Sequence, residues 1–276
     1  MAVSILILTL NEEVNLPDCL ASVAWSDDIV VFDSYSSDRT VAIAEATGAR
    51  VVQRRFDNWA AHQNYAMEHI RFKYPWVFYL DADERMTPEL KAEILAIAAD
   101  PSNAKVAYYC GRRNFFMGRW IRHAMPPGLI MRFFQPPRIG FERLVNPTPI
   151  IDGDHGYLLN HFEHYNFSKG IGEWIDKHNK YSQMEAIEGI KLLNGEGGAH
   201  RLLYNRDLAL RRKALKNLSF RLPLRPLFKF VYLYLFKRGF LDGQAGLTYC
   251  VLQCIYEYLI VLKMREIQRR ERGLPI

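Results

Sequence analysis

Asp81 and Asp83 stand two residues apart at the end of an apolar run, Trp76–Leu80. A turn after a strand breaks the alternation of faces, so both carboxylates can reach one hard divalent cation. Mg²⁺ or Mn²⁺ takes such oxygen ligands jointly with substrate phosphates and neutralises a departing diphosphate. The same residues also suit a solvated turn before the helix opened by Pro88, with Thr87 as its N-cap. Two more polar clusters follow apolar runs: Thr9-Leu10-Asn11-Glu12, and the stretch from Asp33 to Thr40. Their hydroxyls and carboxylates can grip a base and a ribose. Helix capping by Asp38 is the alternative, and the two roles are compatible. Neither G-x-G-x-x-G nor G-x-x-x-x-G-K-[ST] occurs, which argues against a dinucleotide or P-loop enzyme. Arg112, Arg113, Arg119 and Arg122 carry the guanidinium geometry that clamps phosphates, and serve equally as salt-bridge partners. His155, His161 and His164 lack a paired second half, so no zinc site is expected.

These residues need a scaffold. Apolar runs at Ser4–Thr9, Ile29–Phe32, Val51–Val52 and Trp76–Leu80 alternate with helical patterns at Glu12–Ala24, Asp38–Thr47, Trp59–Ile70 and Pro88–Ala99. Strand and helix in alternation predict an α/β fold, a mostly parallel sheet with right-handed crossovers. Ligands of such sheets sit beyond the carboxyl ends of the strands, where the three polar clusters fall. Residues 106–165 read as short strands broken by prolines and glycines, an irregular and partly antiparallel extension. Helix dominates from Glu173 onward, interrupted at Gly195, Gly197 and Gly198.

The chain has 276 residues, 49% of them hydrophobic and 24% charged, enough for one sizeable core or a domain with an appendage. Its net charge of +6 hides an asymmetry. Residues 201–276 hold 16 Lys and Arg against 5 Asp and Glu, a balance of +11, leaving −5 for the first 200. An anionic surface is the expected partner of that end. The four cysteines form no C-x-x-C pair, so a disulfide framework is not expected and the compartment reads as reducing. Val3–Leu8 has no basic flank and runs into Asn11-Glu12-Glu13, which reads as a buried strand and not a signal peptide. Near the far end, Leu222–Phe236 carries Arg225 and Lys229, and Ala245–Leu262 carries Gln253 and Glu257. An 18-residue helix at about 1.5 Å per residue barely crosses roughly 30 Å of hydrocarbon, so spanning is not expected. Basic residues among Phe, Tyr and Leu suit a helix lying in the headgroup layer; simple packing on the rest of the chain is the alternative.

Taken together, T-x-N-E at Thr9, V-x-D-S-x-S-x-D-x-T at Val31 and D-A-D-E at Asp81 resemble the N-terminal signature of family-two glycosyltransferases with the GT-A fold. Gln63-Asn64-Tyr65-Ala66 is similar to the segment that precedes the D-x-D strand. The likeness continues through Arg112-Arg113-Asn114, Gly118–His123, Lys177–Ser182 and Arg238–Gly243. These are similar to motifs of a subgroup that includes lipopolysaccharide-core and exopolysaccharide β-glycosyltransferases. The resemblance implies a nucleotide-sugar site of Thr9, Asn11, Glu12, Asp33, Ser36, Gln63, Asn64, Asp81 and Arg112, with Asp33 on the base. It implies Mg²⁺ or Mn²⁺ at Asp81 and Asp83, Asp83 being the direct ligand. Arg113, Arg119, His123 and His164 are the acceptor or phosphate candidates. A carboxylate base deprotonates the acceptor hydroxyl as the anomeric carbon inverts. Many members of the subgroup supply it from V-H-E; here Val145-Asn146-Pro147 stands in that place. The base role therefore passes to Glu142 or Asp152, with Glu163 behind them.

The expected organisation is a catalytic domain over residues 1–200, split into a nucleotide-binding half to 105 and an acceptor half from 106. A basic amphipathic helical tail follows over 201–276. The expected activity is metal-dependent inverting transfer from a nucleotide-sugar to a lipid-linked glycan in lipopolysaccharide or other envelope polysaccharide biosynthesis. It is placed peripherally on the cytoplasmic face of the inner membrane. A nucleotidyltransferase and a nucleic-acid-binding protein are the alternatives. The second lacks any recognised nucleic-acid-binding motif, so no nucleic acid partner is expected.

Overall fold

The computed structural model describes residues 3–125, 128–142, 147–194 and 224–276. The chain divides into two compact units, Met1–Phe115 with Pro126–Ser168, and Phe116–Met125 with Lys169–Ile276.

The first unit alternates as its apolar runs require: β1 (Ser4–Thr9), α1 (Leu16–Val23), β2 (Ile29–Asp33), α2 (Thr40–Ala46), β3 (Arg50–Gln53), α3 (Trp59–His69), β4 (Val77–Asp81), β5 (Glu84–Arg85) and α4 (Pro88–Ala99). β6 (Ala107–Phe116) follows, then, beyond β7 (Arg119–Trp120) of the other unit, β8 (Leu129–Phe134), β9 (Ile139–Glu142), β10 (Thr148–Ile151) and β11 (His155–His164). The main sheet runs β3-β2-β1-β4-β8-β6-β11-β5. Its first four strands are parallel. β8 enters antiparallel between β4 and β6, and β11 runs parallel to β6. β9 and β10 form a separate antiparallel pair.

Period-two alternation divides the strand residues between two cores. Ile5, Ile7, Phe78 and Leu80 pack with Leu16, Leu20, Leu90 and Ile94 on one face. Leu6, Leu8, Phe32 and Tyr79 pack with Ala60 and Ala66 on the other. Burial on both faces explains why these strands read as unbroken apolar runs. Caps fall where the sequence put them. Thr87 Oγ1 accepts the Leu90 N–H at 3.2 Å with Pro88 next to it, and Asp38 Oδ1 accepts the Thr40 N–H at 3.0 Å. Between Tyr157 and His161 the β6–β11 register shifts. Glu93 of α4 accepts the Leu159 and Asn160 N–H groups at 2.7 and 2.9 Å across this bulge. Beyond it Asn114 aligns with His164.

The second unit is helical: α5 (Ile171–Asn194), α6 (Arg225–Val231), a π-helical turn over Tyr232–Phe236, a 3₁₀ turn over Gly239–Asp242, and α7 (Gly243–Glu271). Ala186 and Ile190 of α5 pack on Ile260 and Met264 of α7. Asp242 is buried and accepts the N–H groups of Arg122, His123 and Ala124 at 3.2, 2.9 and 2.8 Å, and His123 Nδ1 at 2.8 Å. A Cβ on Gly246 would stand 2.2 Å from the Gly239 carbonyl oxygen, so that crossing requires glycine.

This division differs from one at residue 200. α5 shares its apolar face with α7, and Asp242 gathers residues 122–124, so both segments group with the C-terminal helices. Of the expected tail, residues 201–223 lie outside the described residues, as do Val145 and Asn146.

Candidate functional site

The carboxyl ends of β1 and β2 are stitched together by side chains. Thr9 Oγ1 donates to Asp33 Oδ1 at 2.9 Å, and Ser36 Oγ donates to the same oxygen. Asp33 Oδ2 accepts the Ser36 N–H at 2.9 Å and Gln53 Nε2 at 3.0 Å. Burial would raise the Asp33 carboxyl, but these donors, led by Ser36 and Gln53, hold it below the usual range. Asp33 is fully buried, so as folded it shapes the exit loop, and a base reaches it only by replacing one of these partners. Asn11 adopts φ 54°, tolerable for Asn, and its Oδ1 accepts the Ser37 N–H at 2.8 Å. Its own N–H donates to Ser36 Oγ at 2.8 Å, and the Glu12 N–H donates to Thr40 Oγ1 at 2.7 Å. One network thus caps the loop and ties the β1 and β2 exits together.

His62 of α3 closes the floor of this region, stacked on Phe32 with ring centroids 4.2 Å apart. Arg54 can only donate, so the contact of its Nη1 with His62 Nδ1 at 3.2 Å makes Nδ1 the acceptor. The imidazole proton then sits on Nε2, 3.4 Å from Ser34 Oγ. Burial first, and Arg54 second, push the His62 pKa down to about 4 from 6.5. A depressed value contributes stability that is present above pH 6.5 and lost as pH falls toward 4, roughly 3 kcal/mol in all. Urea unfolding at neutral pH and near pH 4 should show that loss. The difference should shrink in His62→Gln; an equal loss in the variant would place the titration elsewhere.

The D-A-D-E turn is held from three sides. Asp81 Oδ1 accepts Tyr79 Oη–H at 2.8 Å, and Gln63 Nε2 donates to Tyr79 Oη at 3.2 Å. Arg132 Nη2 donates to Asp81 Oδ2 and to Glu84 Oε1, both at 2.7 Å. Its guanidinium lies 4.2 Å from the Tyr79 ring centroid. Glu84 is fully buried, and burial raises its carboxyl; Arg132 opposes the rise, while Asp81 and Asp83 add to it. Arg85 Nη1 donates to the carbonyls of Ala82 and Glu84, each at 2.9 Å, and the Tyr165 N–H donates to the Asp83 carbonyl at 2.8 Å.

Asp83 faces His164. Asn114 Oδ1 accepts from His164 Nδ1 at 2.9 Å, which directs Nε2 toward Asp83 Oδ2 at 3.4 Å. Among the described residues no three His, Cys, Asp or Glu side chains form a cage. Asp83 offers the carboxylate oxygen that Mg²⁺ or Mn²⁺ takes, the rest of the shell being completed by phosphate and water. Asp81, with both oxygens engaged by Tyr79 and Arg132, is the less available of the two aspartates.

The remaining sequence candidates separate. Arg112 is half-buried on β6, its charge disfavoured by burial and supported by Glu84, Asp81 and Asp83. Arg113, its neighbour, aligns with Glu163. The Asn64 amide accepts the Phe141 N–H at 2.7 Å and donates to the Phe141 carbonyl at 2.9 Å, clamping β9. Asp152 precedes β11, whose His155 aligns with Ala107 while His164 aligns with Asn114. The strands therefore set Asp152 more than about 20 Å from the Asp83–His164 end, paired with Arg138 at 3.0 Å. It is not placed to act as the base, because closeness in sequence to Val145 does not survive the reversal of the chain through β10. Glu142 is exposed at the end of β9. Glu163 accepts Tyr165 Oη–H at 2.7 Å. Arg119 and His123 belong to the second unit, where His123 binds Asp242. Sequence reasoning passed over Arg132, Glu84, Tyr79 and His62. The signal for Arg132 was a lone charge inside the apolar run Leu129–Phe134.

A family model described as glycosyl transferase family 2 matches residues 4–164. An uncharacterized glycosyltransferase of Rickettsia typhi is 25% identical over 284 residues, covering 99% of this chain and 89% of that protein. The lipopolysaccharide core biosynthesis glycosyltransferase LpsC of Rhizobium meliloti is 25% identical over 267 residues, covering 91% and 90%. Among solved structures, S. aureus TarS 1–349 in complex with UDP-GlcNAc aligns over 99% of this chain and 93% of that one, at 14% identity and a TM-score of 0.49.

Proposed function

The chain belongs to glycosyl transferase family 2, and from that premise we propose that it transfers one sugar, with inversion, from a nucleoside-diphosphate sugar to a lipid-linked glycan acceptor in lipopolysaccharide or related envelope polysaccharide biosynthesis. Family membership replaces the nucleotidyltransferase alternative. The observation that carries the reading is the Asp83–His164 pair beside the Asp81–Arg132–Glu84 cluster, at the same end of the sheet as the polar exits of β1 and β2.

The nucleoside lies over Thr9, Asn11, Glu12 and Ser36, with Asp33 beneath them. The Arg112 guanidinium pairs with the diphosphate, and Asp81, fixed by Tyr79 and Arg132, accepts hydrogen bonds from hydroxyls of the sugar. Asp83, with His164 beside it, would hold Mg²⁺ or Mn²⁺, which would supply Lewis acidity to the leaving diphosphate. Glu142 takes the proton of the acceptor hydroxyl. The protein works peripherally on the cytoplasmic face of an anionic inner membrane, where sugar nucleotides are made.

A panel of sugar nucleotides with Mn²⁺ or Mg²⁺ tests the donor class by thermal unfolding, since a ligand that binds the native state raises its midpoint by mass action. One donor should shift the midpoint only with metal; no shift across the panel would contradict the reading. Glu142→Gln should keep that shift and lose about a hundredfold or more in transfer. Normal turnover in the variant removes Glu142 from the base role.

A further inference from the structure

We propose that α7 is an in-plane membrane anchor, its outer stripe seated at the headgroup–acyl boundary of an anionic bilayer and its inner face packed on α5 and α6. This rests on the membrane-surface reading above and adds which residues make the contact and how the helix is oriented.

Leu247, Val251, Ile255, Tyr258 and Leu262 are all exposed. Their spacing of four, four, three and four residues places them on one face of α7, a stripe about 22 Å long. Leu227, Phe228, Leu235, Phe236, Phe240 and Leu241 of the preceding turns are exposed as well. Exposed apolar side chains in such number and continuity mark a contact surface. Exposed Lys237 and Arg238 adjoin Phe236 and Phe240 at one end. Arg265 and Arg269 continue the stripe at the other.

By length and composition Gly239–Glu271 is also able to cross a membrane. Its inner face argues otherwise. Glu257 is buried there, 2.8 Å from Arg225 Nη2 and 3.7 Å from Lys229 Nζ. Ile260 and Met264 are covered by α5, whose sequence carries charged residues along its length. A helix apolar on one side and tied to a polar unit on the other lies in the interface. The charges favour lipid over a second copy of the chain. Both ends of the stripe are cationic, so pairing two stripes in either direction sets like charges together, whereas phosphate headgroups neutralise both ends.

The test is co-sedimentation of the full chain with phosphatidylcholine–phosphatidylglycerol vesicles, together with the double variant Val251→Glu, Ile255→Glu. Both positions are exposed, so the donor-induced thermal shift should be unchanged and certifies the fold. Wild type should sediment with the vesicles, and the double variant should bind about tenfold or more weakly. Trypsin added outside should cut after Arg269 and Arg270 in all bound molecules. If wild type binds and the variant binds equally, the stripe is overturned while the membrane reading stands. Protection of a large fraction from trypsin would mean that α7 spans. Wild type that stays in the supernatant overturns both the stripe and the membrane reading. A lipid-free dimer that the variant dissociates would reassign the stripe to a copy of the chain.

Discussion

Asp83→Asn is expected to abolish measurable sugar transfer while leaving the fold intact. Asparagine keeps the shape and hydrogen-bonding capacity of the side chain, so the turn bound through the Asp83 carbonyl and the Tyr165 N–H is undisturbed. The substitution removes the negative charge facing His164 Nε2, and with it the anionic ligand of the proposed cation. Loss of charge compensation at a departing diphosphate lowers turnover on the order of 10³-fold. Donor binding in the variant should no longer respond to Mn²⁺ or Mg²⁺. Retained metal response, or full transfer in excess chelator, would remove Asp83 from the site.

Arg132→Met is expected to cost about 3–5 kcal/mol of stability, because it leaves the buried Glu84 carboxyl, already raised by burial, without the guanidinium that opposes the rise. Methionine fills a similar space, so the loss reports charge more than volume. Asp81 loses the same guanidinium, so donor affinity should fall along with stability. Adding Glu84→Gln to the variant should recover part of the stability, as removing the unpaired buried acid makes the two changes less than additive. Urea unfolding of the four proteins measures the coupling. A loss below about 1 kcal/mol in Arg132→Met would show that the pair contributes little.

Much of residues 1–105 was legible because the strands are buried on both faces and the helices carry punctuating residues. Ser4–Thr9 and Trp76–Leu80 read as strands, and Thr87-Pro88 reads as the opening of a helix. The polar clusters followed from their position at strand exits. What did not follow was pairing across the sheet. Arg132 reaches Asp81 because β8 inserts next to β4, and nothing in the order of apolar runs announces that neighbour. Asp152 and Glu142 look equivalent in sequence, and only the register of β11 against β6 sends Asp152 to the far end. Asn64 has the chemistry of a ligand and spends it on the Phe141 backbone. The charge asymmetry between residues 1–200 and 201–276 suggested a boundary at 200, whereas the second unit takes in Phe116–Met125 and Lys169–Ile276. Its boundary eluded sequence because α5 finds its packing partner in α7, seventy or so residues later in the chain.

One measurement bears most directly on the reaction. The purified protein is incubated with each sugar nucleotide and with each nucleoside triphosphate, with Mn²⁺ or Mg²⁺ and again in excess chelator, and the released nucleotide is identified. The expected result is release of a nucleoside diphosphate from a sugar nucleotide, dependent on metal and lost in Asp83→Asn. Pyrophosphate from a triphosphate, with no nucleoside diphosphate from any sugar nucleotide, would contradict it.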